Sequence, residues 1–220
     1  MNLSNVAQAR FNMIEQQIRP WNVLDTEILG LLADVAREEF VPEAQRALAF
    51  ADMQVSIGHG ESMLAPRLQA RLLQDLQVQS HERVLEIGTG SGYLTALLAR
   101  RAASVLSLEI QPELAATART NLQRAGVHNA EVRVADGSKP LRGEGPFDAI
   151  LLGGSVAEVP THLLDQLAVG GRLISIVGDE PIMSATLVTR VGPTDVRTTK
   201  LWDANADRLH GFAEHSQFHF

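Results

Sequence analysis

Val84-Leu85-Glu86-Ile87-Gly88-Thr89-Gly90-Ser91-Gly92-Tyr93-Leu94-Thr95-Ala96-Leu97-Leu98-Ala99-Arg100 decides the reading of this chain. A short apolar run carries Glu86, glycines follow at alternate positions, and a helical pattern begins at once. A dinucleotide turn, G-x-G-x-x-G, would place its third glycine where Tyr93 stands, and a phosphate-binding P-loop would need a lysine after Gly92. What remains is E-x-G-x-G-x-G after a first strand. Glycines this close together let the backbone approach a ligand with no Cβ in the way, and their amides, with the helix N-terminus, suit a carboxylate.

Working outward, strands alternate with helices. Strand patterns run through residues 83–87, 104–110, 130–136, 147–153 and 172–178, with helical stretches at Gly92–Ala102, Pro112–Ala125 and Pro160–Leu167 between them. Apolar, β-branched strands joined by helices predict a mostly parallel sheet covered on both faces. After Gly178 two alternating runs flank a Gly-Pro turn with no helix between, which predicts an antiparallel hairpin at one sheet edge. Upstream, the first 80 residues read as a helical cap. Asp25 is placed to cap a helix that turns Ile28, Leu31, Leu32 and Val35 to one side, and Pro66 opens a helix carrying Leu68, Leu72, Leu73 and Leu76. Between them, residues 51–66 read as a glycine-punctuated loop that reaches over a ligand. The division is thus cap and loop (1–80), core (81–178) and C-terminal strands with tail (179–220), within one domain.

The composition narrows the function. With 220 residues the chain suits one α/β domain, and 45% hydrophobic against 20% charged residues is an ordinary globular balance. A net charge of −7 leaves no electrostatic footprint for sequence-independent binding to nucleic acid or an anionic membrane. There is no cysteine, hence no disulfide framework and no thiolate zinc site. The N-terminal residues lack a basic stretch followed by an apolar one, and no window approaches a membrane span, so the expected setting is cytoplasmic.

Two acids join the glycine turn. Glu109 closes the second strand pattern, where a carboxylate can accept two hydrogen bonds from a ribose diol. Asp136-Gly137 closes the third, placed to meet an adenine edge. Each has a plainer reading: Glu86 as a solvated strand-end acid, Glu109 as a helix-start acid before Pro112, Asp136-Gly137 as a turn. Their convergence at successive strand ends favours a shared crevice.

This combination resembles the S-adenosyl-L-methionine-dependent methyltransferases. The resemblance implies a Rossmann-like class I methyltransferase fold. It also implies that Glu86, Gly88, Thr89, Gly90, Ser91 and Gly92 hold the methionine part of the cofactor, Glu109 and Ile110 the ribose side, and Asp136 and Gly137 the adenine. Residues 37–42 (R-E-E-F-V-P), 49–52 (A-F-A-D), 57–60 (I-G-H-G), 84–93, 145–150 (G-P-F-D-A-I) and 166–173 (Q-L-A-V-G-G-R-L) are similar, in order and spacing, to the protein-L-isoaspartate O-methyltransferases. That family implies transfer to the α-carboxylate of an isoaspartyl residue in a protein or peptide. Such an acceptor is already ionised at neutral pH and needs no general base.

The chain departs from the family in places. The family's G-Q-T-I-S-x-P is Gly60-Glu61-Ser62-Met63-Leu64-Ala65-Pro66 here, so Leu64 replaces a hydroxyl residue near the transferring methyl. Glu61 is expected to point away from the acceptor or to pair with Arg67. The family's V-T-A-A is Leu152-Gly153-Gly154-Ser155, and its G-D-G is Ala135-Asp136-Gly137. Ser62 and His59 are the candidate acceptor-orienting residues, His59 having a solvent-facing loop position as its plainer reading. His210, His215 and His219 in the tail lack the H-E-x-x-H spacing of a metal site, so no metal is expected, and Phe218 with Phe220 alternate as an edge strand or docked tail would. Trp21 and Trp202 read as packing residues. Two other functions stay open: a small-molecule methyltransferase on this scaffold, and a catalytically silent cofactor-binding protein.

Overall fold

A computed structural model of the chain describes residues 3–214. His215, His219, Phe218 and Phe220 lie outside the described residues. The cap is built from α1 (Leu3–Met13) and α2 (Thr26–Asp34), a π-turn between them, and short 3-10 turns at 37–39 and 43–48. Asp25 caps α2 as the sequence implied, its side chain accepting from the amides of Glu27 at 2.8 Å and Ile28 at 3.3 Å. Such a cap is worth about 1 kcal/mol.

Residues 51–66 correct the loop expectation, since they contain a two-stranded hairpin of β1 (Val55–Gly58) and β2 (Glu61–Met63). Val55, Ile57 and Met63 are buried, which gives the segment the alternation of a half-buried strand. Its turn is tight because Gly58, His59 and Gly60 all take positive φ, at 91°, 58° and 81°. Helix α3 (Pro66–Leu76) then starts at its proline and ends on Gln77 in the left-handed region.

The core follows as β3 (Arg83–Ile87), α4 (Tyr93–Ala99), β4 (Ser104–Glu109), α5 (Pro112–Arg124), β5 (Ala130–Val134), β6 (Phe147–Val156), α6 (Thr161–Leu164), β7 (Leu167–Asp179), β8 (Ile182–Arg190) and β9 (Val196–Asp203). The seven strands β3 to β9 form one sheet in the order β5-β4-β3-β6-β7-β8-β9. Pairing is parallel from β5 to β7 and antiparallel across β7-β8 and β8-β9, so the expected edge hairpin is present. Chain direction across the sheet reverses between β3 and β6, which opens a crevice at the carboxyl ends of those strands.

The two faces are covered unequally. Buried residues of the cap, α3, α4 and α5 pack with Val84, Val105, Leu151 and Ile174 on one face. On the other, Leu85, Ile87, Leu108, Ile150 and Leu173 meet Leu163 of α6, and Leu141, Leu209 and Phe212 from irregular segments. The helix expected over 160–167 is thus a single turn, and the β5–β6 connection, Asp-Gly-Ser-Lys-Pro-Leu-Arg-Gly-Glu-Gly-Pro, is too rich in glycine and proline to form another. Among the described residues no helix is long and apolar enough to cross a membrane.

Candidate active site

The glycine turn hangs from β4 by two backbone hydrogen bonds, from the amides of Gly88 (2.8 Å) and Thr89 (3.2 Å) to the Leu108 carbonyl. Gly88 and Gly92 sit at φ 88° and Gly90 at 54°, where side chains other than glycine are strained. Beneath the turn lies Glu86, wholly buried. One of its carboxylate oxygens accepts from the Thr95 hydroxyl of α4 and the Ser107 hydroxyl of β4, and the Thr89 hydroxyl in turn bonds Ser107. Among the described residues its second oxygen has no partner. Burial is the main reason that its pKa is pushed up to about 7, against the pull of the Ser107 and Thr95 hydrogen bonds. Glu86 therefore ties turn, strand and helix together from below, and it does not line the cleft above.

Glu109 does line it. Its two oxygens accept from the Gly90 amide at 2.8 Å and the Gln111 amide at 3.0 Å. A carboxylate offers about four lone-pair sites. With the Ile110 amide also acting on it, the group still keeps acceptor capacity for a donor in the cleft that it lines. Burial raises the Glu109 pKa, the backbone hydrogen bonds oppose it, and Glu61 adds to the rise.

The cleft is open to solvent and is lined by the glycine turn, strand ends and residues from two outlying segments. At one end stand Ile110, Leu114, Ala135 and Gly137, with Ile110 offering an exposed apolar side chain. Gly137 is required there, because a Cβ would sit 2.4 Å from a methyl of Ile87. Asp136 does not line the cleft: its carboxylate accepts from the Ser138 amide at 2.9 Å and lies 3.8 Å from the Lys139 ammonium. At the other end Ile57 and Ser62 from the hairpin face Gly88, Gly90 and Gly153, and a smaller adjoining cavity continues past Ser62 to Leu64, Thr89, Ser91 and Tyr93.

The acceptor candidates separate. Ser62 borders both cavities, whereas His59 is exposed at the hairpin turn and borders neither. Gly92 packs against Ala118 and Leu122 of α5, behind the turn. Leu64 is buried in the core, and its carbonyl accepts from the guanidinium of Arg37 at 2.7 Å. Arg37 is itself fully buried, also donating to the Ala49 carbonyl at 2.8 Å and to Gln69, and lying 5.1 Å from the Tyr93 ring centroid. Glu61 does not pair with Arg67, which instead bonds Asp52 and lies 4.2 Å over Trp21. Trp202 does pack as expected, its indole donating to Asp75 at 2.6 Å under the guanidinium of Arg71.

Sequence reasoning missed one wall altogether. After β9 the chain returns across the strand ends, and Leu209, His210 and Phe212 line the cleft. Ser155 holds this return: its amide donates to the Asp207 carbonyl at 2.8 Å, its hydroxyl to the Ala206 carbonyl at 2.9 Å, and its own carbonyl accepts from the Leu209 amide at 2.9 Å. His210 bonds Glu61 at 2.7 Å, and the Phe212 ring stacks on His162 with centroids 6.4 Å apart. The substitution of Gly-Gly-Ser at 153–155 was the available signal.

Residues 8–201 match the model of the family described as Protein-L-isoaspartate(D-aspartate) O-methyltransferase (PCMT). A Protein-L-isoaspartate O-methyltransferase 1 of Syntrophobacter fumaroxidans is 42% identical over 197 residues, covering 90% of this chain and 92% of the relative. A Protein-L-isoaspartate O-methyltransferase of Methanoculleus marisnigri is 44% identical over 169 residues, 77% of each chain. Among solved structures, a Plasmodium falciparum protein assigned as a protein-L-isoaspartate O-methyltransferase, in complex with S-adenosyl-L-homocysteine, superposes with a TM-score of 0.77 at 23% identity. The match covers 91% of this chain and 96% of that one, a likeness of fold.

Proposed function

We propose how this site works from one premise: the chain belongs to the protein-L-isoaspartate(D-aspartate) O-methyltransferase family. It is an S-adenosyl-L-methionine-dependent O-methyltransferase of that type. The observation that carries the residue assignments is the Glu109 carboxylate, fixed by the Gly90 and Gln111 amides at the wall of a cleft lined by the glycine turn and strand ends.

When bound, S-adenosyl-L-methionine supplies a sulfonium-activated methyl group. In our reading Glu109 accepts hydrogen bonds from the ribose, Ile110 and Gly137 border the adenine, and the Gly88–Gly90 backbone faces the methionine part. Thr89 and Ser91 contribute main chain, their side chains being buried. Glu86 acts through the others, holding the turn in shape. Asp136 is assigned to the shape of the adenine end through its turn with Ser138, in place of the direct adenine contact that the resemblance implied. Ser62, on the hairpin, orients the acceptor, an isoaspartyl carboxylate of a protein or peptide. An ionised carboxylate needs no proton removed, so the chain's own contribution is alignment of the acceptor oxygen and exclusion of water.

The test is incubation with cofactor labelled in the methyl group and either an isoaspartyl peptide or its normal aspartyl counterpart. Base-labile label on the first peptide alone is expected. Tight cofactor binding with no label on either peptide would point to a small-molecule acceptor or a silent binding role.

A further inference from the structure

The family match ends at residue 201, yet three of the residues that line the cleft come from beyond it. The departures noted in the sequence converge on this segment. A Cβ at Gly154 would stand 2.9 Å from the Asp207 carbonyl oxygen and 3.0 Å from Leu209, and one at Gly88 would stand 2.8 Å from Leu209. Ser155 supplies the hydrogen bonds that seat residues 206–209, and Glu61 receives His210. Arg208 adds a bond to the Gly178 carbonyl at 2.9 Å and an ion pair with Asp179 at 2.7 Å. The tail is therefore a fitted wall of the site.

Charge gives that wall a task. An isoaspartyl acceptor brings a carboxylate to a cleft already lined by Glu61 and Glu109. Among the described residues that line the cleft, His210 is the one with a basic side chain. It is tied to the hairpin through Glu61, the neighbour of Ser62 in sequence, and the chain beyond it packs on Asp136 and Ser138 at Gly211. The ring nitrogen Nε2 donates to Glu61, and among the described residues the other ring nitrogen has no partner. With 60% of its side chain exposed, the ring is accessible to an incoming peptide.

Resting on the isoaspartyl reading above, we propose that His210 binds the acceptor carboxylate together with Ser62. In this role Glu61 orients the ring, and its other nitrogen takes the acceptor carboxylate in place of the hydroxyl lost at Leu64. A charge-assisted hydrogen bond of this kind fixes a carboxylate more firmly than a neutral hydroxyl does.

The experiment measures steady-state methyl transfer to an isoaspartyl peptide by the full chain and by His210→Gln and His210→Lys, with calorimetric titration of S-adenosyl-L-homocysteine as a separate readout. His210→Gln should raise KM for the peptide about tenfold with kcat within about twofold of the parent, and should leave the homocysteine affinity unchanged. His210→Lys, which keeps the charge, should keep KM near the parent value. An active parent whose KM is unmoved in His210→Gln overturns this proposal alone. So does a parallel loss of homocysteine affinity, or a His210→Lys variant as impaired as His210→Gln. A parent that binds S-adenosyl-L-homocysteine but never methylates the peptide overturns the isoaspartyl reading and this assignment with it.

Discussion

At Glu86 the cost of burial outweighs two hydrogen bonds, and the consequence is visible in the pH dependence of folding. With its pKa pushed from 4.5 to about 7, the folded protein keeps a proton there that the unfolded chain releases. The stability tied to this group is fully present below the unfolded value and is lost as pH rises through the folded one, by on the order of 3 kcal/mol. Glu86→Gln removes the ionisation, so urea unfolding at pH 5 and pH 8 should show a smaller difference than in the parent; an equal difference would mean another group carries the slope. At Glu109 the expected loss is in binding. In the proposed reading Glu109→Ala removes the acceptor for the ribose hydroxyls, and calorimetry with S-adenosyl-L-homocysteine should show affinity weaker by about tenfold or more. Leu64→Ser is a different matter. It restores the family's hydroxyl, but the side chain it removes is buried in the core beside Arg37, so it should lower stability by about 2–5 kcal/mol as large-to-small core changes do. Thermal unfolding of a Leu64→Ser variant that matched the parent would contradict that placement.

At the scale of elements, the sites of closest approach were written as glycines. Gly153 lies against the Gly88 carbonyl, where a Cβ would come within 2.7 Å, and Gly154 lies against the returning tail. The β6 strand shifts register between Leu151 and Ser155, so that these glycines bring the tail down onto the turn. Gly154→Ala should displace residues 207–209, cost about 1–3 kcal/mol in stability and weaken S-adenosyl-L-homocysteine binding severalfold; intact affinity would show that Leu209 does not bear on the cofactor. The same residues mark what the sequence could disclose. Strands β3 to β7, the capped start of α2, and the turn between β3 and α4 were legible, because apolar alternation, Asp25, Pro66 and spaced glycines act locally. The β1-β2 hairpin was hidden by its brevity, since three- and four-residue strands show too little alternation to outweigh flanking glycines. The tail wall was hidden for a stronger reason. Nothing local makes residues 204–212 cover a cleft; Ser155, some 50 residues away in sequence, does so by satisfying their backbone. The side of the turn that the Glu86 and Asp136 carboxylates reach was not legible, because spacing places a residue at a strand end without fixing the direction of its side chain.

For the molecule as a whole, the relevant quantity is the net charge of −7, of which Glu61 and Glu109 line the cleft itself. A protein of that charge repels an acidic peptide before any specific contact forms, and His210 offers only local relief. Such a field acts over the screening length, about 30 Å at 0.01 M salt and about 10 Å at 0.1 M, so salt weakens the approach term much more than contacts within the closed cleft. Two isoaspartyl peptides of equal length, one flanked by glutamates and one by lysines, should therefore respond in opposite senses. Raising ionic strength from about 0.01 to about 0.15 M should increase kcat/KM for the acidic peptide severalfold and decrease it for the basic one, while kcat at saturation changes little. If both peptides slow together, the dependence lies in a salt-sensitive contact inside the site, with the His210–Glu61 pair the first to examine. If neither changes, the surface facing the acceptor is locally neutral, and the overall charge plays no part in choosing among damaged proteins.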